Sequence, residues 1–427
     1  MTQPSLARRL GLRDAVAIGL AAMIGAGVFA AFAPAAQAAG EGLLIGLAIA
    51  AFVAYANASS TAQLAARYPE SGGAYRYGRE RLGEWPGFLA GWSFVIGKTA
   101  SCAAMAITFA AYLAPPGWER LLAVVAVVVL AGVNLRGITR TARVATVIVL
   151  GVLAVLAVVV ASGAAPLVSG DAGYTADGFF ADGWLGILQS AGLLFFAFAG
   201  YARIATLGEE VREPAHTIPR AIGIALGIAV VVYAAVGAIA LGSLGAGGLA
   251  ASGAPLVDVV AANGWNWAEV PVRIGAAVAA LGALLALIAG IGRTSLAMAR
   301  DGELPKPLAA VHPRFRVPHV SEITVAVVIV VLVLAVDLRG AIGFSSFGVL
   351  LYYFIANVAA VTQPRTERRV PRALSVAGAI GCLTLVATLP LSSIVAGVIV
   401  LAVGVLYRLV ARALPSRRRS GEGRPPA

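Results

Sequence analysis

The chain has 427 residues, of which 60% are hydrophobic and only 12% charged, and its mean hydropathy is +0.89. No soluble core of this size buries that much apolar sequence, so a soluble enzyme, a secreted disulfide scaffold and a disordered regulator are excluded. The net charge of +12 reads as loop charge of the positive-inside kind rather than a nucleic-acid surface, which makes this an all-α polytopic membrane protein whose solvent is the lipid bilayer.

Twelve transmembrane helices are predicted, at 15–37, 42–65, 86–113, 119–135, 143–163, 184–207, 219–243, 268–292, 320–337, 341–362, 372–389 and 391–410. The last two are split only by Pro390. Residues 1–14 form a cytoplasmic N-terminal segment and 411–427 a basic tail. Arg8 and Arg9, an apolar run and Ala36-Gln37-Ala38 mimic a signal peptide. The run is too long and glycine-rich for that, and an uncleaved first span is expected.

The loops set an orientation. With the N-terminus cytoplasmic, 27 basic residues fall inside and only Arg120, Arg273 and Arg339 outside. The longest outside loop, 164–183, carries Asp171, Asp177 and Asp182 and no basic residue. Both termini are therefore expected in the cytoplasm, and an arginine-rich, lysine-poor chain suggests a bacterial inner membrane. Trp118, Trp184, Trp265 and Trp267 fall near outer span ends and Trp85 near an inner one, as an interfacial belt would place them. The basic residues from Arg408 onward read as the last topology signal.

Two spans are interrupted. The first holds Met23-Ile24-Gly25-Ala26-Gly27-Val28-Phe29, and the sixth holds Phe195-Phe196-Ala197-Phe198-Ala199-Gly200-Tyr201-Ala202-Arg203 at comparable depth. They correspond if spans one to ten form two five-helix repeats, 15–163 and 184–362, with 372–410 as two peripheral helices. Unwound backbone at membrane depth is tolerated only beside a cavity or other protein. Its free N–H groups suit a carboxylate and its free carbonyls an ammonium, which are the two ends of an amino acid. The plainer reading is that Gly25 and Gly27 allow close helix packing. From glycine spacing the two readings stand level. If the first holds, a bulky residue at Gly27 abolishes binding in a folded protein.

Lys98 and Arg203 are the two charges deep in the spans, each costing about 2.5–3.5 kcal/mol at a helix centre unless partnered. Lys98 shares a helical face with Ser101, Cys102 and Met105. It is either a proton carrier or a structural tie to carbonyls where the first span breaks. Arg203 either binds a substrate carboxylate or seals the cytoplasmic half of the path. No Asp or Glu lies deep in a span, which argues against a cationic substrate held by a buried carboxylate. His216, His312 and His319 all lie in loops, and Cys102 and Cys382 lie in apolar runs, so neither haem, metal nor disulfide is indicated and no cofactor is expected.

These motifs resemble the amino acid–polyamine–organocation (APC) superfamily of transporters. The first-span sequence Gly19–Phe29, the loop Tyr68-Pro69-Glu70-Ser71-Gly72-Gly73-Ala74-Tyr75-Arg76-Tyr77 and the stretch from Phe195 to Gly208-Glu209-Glu210-Val211-Arg212-Glu213-Pro214 are similar to its signatures. So are Ala297-Met298-Ala299-Arg300-Asp301-Gly302 and His312-Pro313-Arg314-Phe315. The stretch from Phe195 to Pro214, followed by Ile218-Pro219-Arg220, looks especially like the branch with cationic amino acid transporters and their bacterial relatives. The resemblance implies a LeuT-type fold and a secondary active transporter, not an enzyme. It further implies that a substrate carboxylate meets the amides of Gly25, Ala26 and Gly27, while its amino group meets carbonyls near Ile24, Phe198, Ala199 and Tyr201. Gly200, Ser101, Arg203 and Lys98 complete the candidate site. The coupling ion would be a proton, or transport would be exchange. The fifth span lacks the lysine of proton-coupled relatives, and Lys98 could replace it. Ala202 stands where the cationic branch has aspartate, so neutral or anionic amino acids fit at least as well. A major-facilitator transporter also has 12 helices but would show a long central loop. A channel would show a filter-like loop, and a membrane enzyme would need catalytic groups at membrane depth. The sequence sets no oligomeric state.

Overall fold

A computed structural model describes residues 10–68, 72–137, 142–165, 178–208 and 210–413. Residues 1–9, Pro69-Glu70-Ser71, 138–141 with Arg140, most of the loop holding Asp171 and Asp177, Glu209 and the tail from 414 lie outside the described residues. Among those described, regular structure is helical, with one isolated bridge between Leu10 and Val211.

The first span begins where Asp14 accepts a hydrogen bond from the Gly11 amide (2.9 Å), covering one of the donors that a helix start leaves open. It runs as α1 (Leu12–Met23), breaks at Ile24-Gly25, and resumes as α2 (Ala26–Ala30) and α3 (Phe32–Ala39). Ala31 keeps αR backbone, so the second half is helical almost throughout. There follow α4 (Leu43–Arg67), α5 (Ala74–Leu82), α6 (Glu84–Leu113), α7 (Glu119–Leu135) and α8 (Ala142–Ser162). The sixth span is α9 (Gly183–Phe198), a 3-10 turn at Ala199–Tyr201 and α10 (Ala202–Ala205). Then come α11 (Pro214–Ala251), α12 (Pro255–Ala262), α13 (Glu269–Arg300), α14 (His319–Ala335), α15 (Leu338–Val361), α16 (Arg372–Thr388) and α17 (Leu391–Ala413).

Every expected span coincides with helix, including the last pair, which are separate helices on either side of Pro390. Among the described residues nine helical stretches are long and apolar enough to cross a membrane. The other three of the twelve, α7, α14 and α16, have 17 residues each. That is the short limit of what spans a bilayer core. The seventh span ends at Gly245, whose φ of +66° takes the chain out of the helix before a short extension. Close approach of α6 and α15 depends on glycine: a Cβ at Gly348 would stand 2.7 Å from the Gly97 Cα. Cys102 and Cys382 are both buried, and Cys102 shares an apolar cluster with Ala26 and Ala283.

Trp118, Trp184 and Trp267 are exposed at helix ends, as a belt requires. Trp85 is not free in that way: the Arg408 guanidinium lies 4.3 Å over its ring. Arg408 itself is no tail charge, because it is buried and paired with Glu303 at 2.6 Å. A guanidinium that close to a carboxylate contributes to tertiary packing, whatever it does for topology.

Candidate functional site

The two interruptions lie against each other. A Cβ built on Gly27 would stand 2.6 Å from the Ala197 Cα, and one on Gly200 would run into the Ala22 carbonyl and stand 2.5 Å from the Met23 amide. Gly25 faces α13, with a Cβ there 2.9 Å from that of Ala283. All three glycines therefore sit where backbone approaches neighbouring helices too closely for a side chain. The expectation that a bulky residue at Gly27 leaves the fold intact does not survive this, since the added atoms would have to displace the Ala197 backbone. Close packing of these glycines is what this conformation shows, and the break lies where the sequence placed it.

The backbone freed at the breaks is held by side chains. The Tyr233 hydroxyl of α11 lies 2.6 Å from the Met23 carbonyl and 3.1 Å from that of Ala197, with one proton to donate. The Ala199 carbonyl accepts from Lys98 Nζ at 3.1 Å and from Tyr353 at 3.2 Å. Tyr112 donates to the Phe29 carbonyl at 3.1 Å. These bonds satisfy carbonyls that would otherwise be stranded in an apolar core. Phe198 packs edge-on to Tyr233, and Tyr201 stacks on Tyr353 with centroids 4.9 Å apart.

Lys98 thus reaches the sixth span's break, not the first's as its depth alone suggested. Ile24, Gly25, Ala26, Gly27, Phe198, Ala199, Gly200, Tyr201 and Lys98 come together around the crossing of α1, α2, α6, α9 and α10. Ser101 is turned to α15, where its hydroxyl meets that of Ser345 at 2.6 Å. Arg203 bonds the Thr206 hydroxyl one turn on, at 3.0 Å, away from the lysine. The spans are not wholly free of buried acid: Glu322, at the start of α14, is buried against Gly292.

A second polar cluster, which the sequence did not reveal, joins α5, α6, α17 and the loop after α13. Arg79 lies 3.5 Å from Asp301 and 3.6 Å from Glu303, Tyr75 donates to Asp301 at 2.5 Å, and Arg412 pairs with Glu84. Burial pushes the Glu303 carboxyl above the usual range against the pull of Arg408. Burial and the neighbouring Asp301 carboxylate both raise Tyr75. The loop before α5 is docked by Tyr352, whose hydroxyl accepts from the Ala74 amide at 2.9 Å. Tyr233 and Tyr353 were also missed, though a lone tyrosine in an apolar span signals a hydroxyl needing a partner.

Residues 10–418 match the family model described as amino acid permease. A relative in Mycobacterium tuberculosis, named as an uncharacterized transporter, is 58% identical over 97% of this chain and 93% of its own length. The branched-chain amino acid permease BcaP of Bacillus subtilis is 27% identical over 96% of this chain and 94% of its own. The chloroplastic cationic amino acid transporter 7 of Arabidopsis thaliana is 28% identical over 82% of this chain and 64% of its own.

Proposed function

The chain belongs to the amino acid permease family and is a multi-pass membrane transporter rather than an enzyme, and from that premise we propose that it carries a neutral aliphatic amino acid by alternating access. In this reading 15–163 and 184–362 are inverted five-helix repeats of the LeuT type, with α16 and α17 peripheral and both termini in the cytoplasm of a bacterial inner membrane. The substrate sits between the repeats. Its carboxylate faces the amides of Gly25, Ala26 and Gly27 at the start of α2, and its amino group faces carbonyls of Ile24, Phe198 and Tyr201, since that of Ala199 is taken by Lys98 and Tyr353.

The observation that carries the reading is the abutment of the two broken spans, with Gly27 against Ala197 and Gly200 against Ala22. Packed as they are, the spans leave no room for a methyl group, so the zwitterion is admitted when they part during alternating access and then meets helix ends of both. Beyond the substrate's own ammonium, a side-chain cation would meet no carboxylate bonded at the break among the described residues, where Lys98 already donates to the Ala199 carbonyl, and this supports a neutral side chain of the kind in BcaP's name over a cationic one. Ser101 and Arg203 are then outside the first layer of contacts. Coupling to protons, rather than exchange alone, is part of the same proposal.

The test is uptake of labelled leucine, isoleucine, valine, lysine and arginine into liposomes carrying the purified protein, in sodium-free buffer with and without an inward proton gradient. Leucine amide lacks the carboxylate and the deaminated acid of leucine lacks the ammonium. Each should compete about tenfold to hundredfold more weakly than leucine, the value of a hydrogen bond to a charged group. Analogues that compete as well as leucine would remove the backbone site. Uptake that ignores the gradient would remove proton coupling alone.

A further inference from the structure

At the arginine-rich end of the molecule, the last turns of α7 and the start of α14 enclose a groove of about 580 Å³ under the 311–318 loop. That is within the ~300–1,000 Å³ of ordinary ligand sites. Its walls are Val129, Gly132, Val133 and Ile323, and its mouth is Arg136, His312 and His319. Beyond it, Val128 and Val129 on α7 and Val327 and Val331 on α14 are exposed aliphatics facing the bilayer.

The polar mouth is built of donors. Arg136 is exposed, and among the described residues no acidic side chain pairs with it. His312 Nδ1 accepts from the amides of Arg314 and Phe315, both at 3.2 Å, which leaves Nε2 to carry the proton and donate. His319 stands edge-on to His312 at 5.4 Å, and its Nδ1 is buried without a partner. Among the described residues no carboxylate lines the groove, so a headgroup ammonium would find no anionic partner there. A smaller groove of about 230 Å³ between α4 and α11 also holds an arginine, Arg369, but that guanidinium is already donated to the Ala215 carbonyl at 2.7 Å.

We propose that the larger groove binds one anionic phospholipid. Its phosphate is held by Arg136 with the imidazoles of His312 and His319, and an acyl chain lies along Val129, Val133 and Ile323. Arg136 supplies the complementary charge and the imidazoles hydrogen bonds at the level where lipid phosphates sit, and the aliphatic walls continue into the bilayer-facing surface. This site is independent of the transported substrate.

Native mass spectrometry of the purified full chain, equilibrated with mixed micelles of phosphatidylglycerol and phosphatidylcholine, reads it directly. Wild-type protein should retain phosphatidylglycerol in preference. Arg136→Gln should reduce that preference about fivefold, the effect of one basic residue near an anionic surface. Ile323→Trp should reduce occupancy of the acyl slot with all charges kept, so the two variants approach the site from opposite ends. Arg369→Gln, in the other groove, should change nothing. Equal retention of the two lipids by the wild type overturns the proposal. So does an unchanged preference in both variants, or displacement of the lipid by inorganic phosphate alone.

Discussion

Removing Glu303 should destabilise the protein more than removing Arg408. The pair is 2.6 Å apart, with side chains 2% and 4% exposed. Deleting one member of so buried a pair costs about 3–5 kcal/mol, because the other charge is left without solvent or partner. Glu303→Gln leaves the Arg408 guanidinium only the more exposed Glu84 carboxylate, at 3.9 Å, and its Nε and Nη1 already lack partners. Its contacts with Trp85 at 4.3 Å and Phe88 at 4.7 Å exist in the wild type and cannot compensate. Arg408→Met leaves Glu303 with Arg79 at 3.6 Å, so its effect belongs at about 3 kcal/mol, the lower end of that range. The double variant Arg408→Met/Glu303→Leu removes both desolvation penalties and should lie within about 1 kcal/mol of the wild type. Thermal unfolding in one detergent at one scan rate gives the order: Glu303→Gln lowest, Arg408→Met next, the double variant near wild type. Single variants each within about 0.5 kcal/mol of the wild type, the range of a surface change, would refute the claim that this pair is buried.

Two further outcomes follow from the breaks. Gly200→Ala should cost about 1–3 kcal/mol through overpacking against Ala22 and Met23. An unchanged melting midpoint would mean that the two spans are farther apart than described. Lys98→Met leaves the Ala199 carbonyl with Tyr353 alone and should lower stability by about 1.5–3 kcal/mol. If the lysine is only a tie, counterflow and gradient-driven uptake fall together; if it carries the proton, counterflow persists and accumulation stops.

The spans were legible because apolar runs of bilayer length have few other uses, and the breaks because glycine and exposed backbone are costly at that depth. What sequence spacing could not supply is azimuth and partner. Lys98 was placed at the correct level but tied to the wrong broken span, since depth says nothing about which neighbour its helix faces. Ser101 shares the Lys98 stripe, yet its hydroxyl goes to Ser345 on α15. The α5 helix has four charged residues and two tyrosines among its nine, so no hydrophobic period marked it; it is held by tertiary contacts such as that of Tyr352 with Ala74. Arg408 was counted only by sign, as one more topology charge, and counting by sign cannot distinguish a solvated arginine from one sealed beneath two aromatic rings.

The two sealed thiols give the molecule a native reporter. Cys382 is enclosed among Asn57 and Asn357, and Cys102 lies in the seam that α6 shares with Ala26 of α2 and Ala283 of α13. A maleimide therefore has no reactive handle on this conformation. Should the seam part during turnover, alkylation of Cys102 would record each opening as a covalent mark, on the natural sequence and with no engineered label.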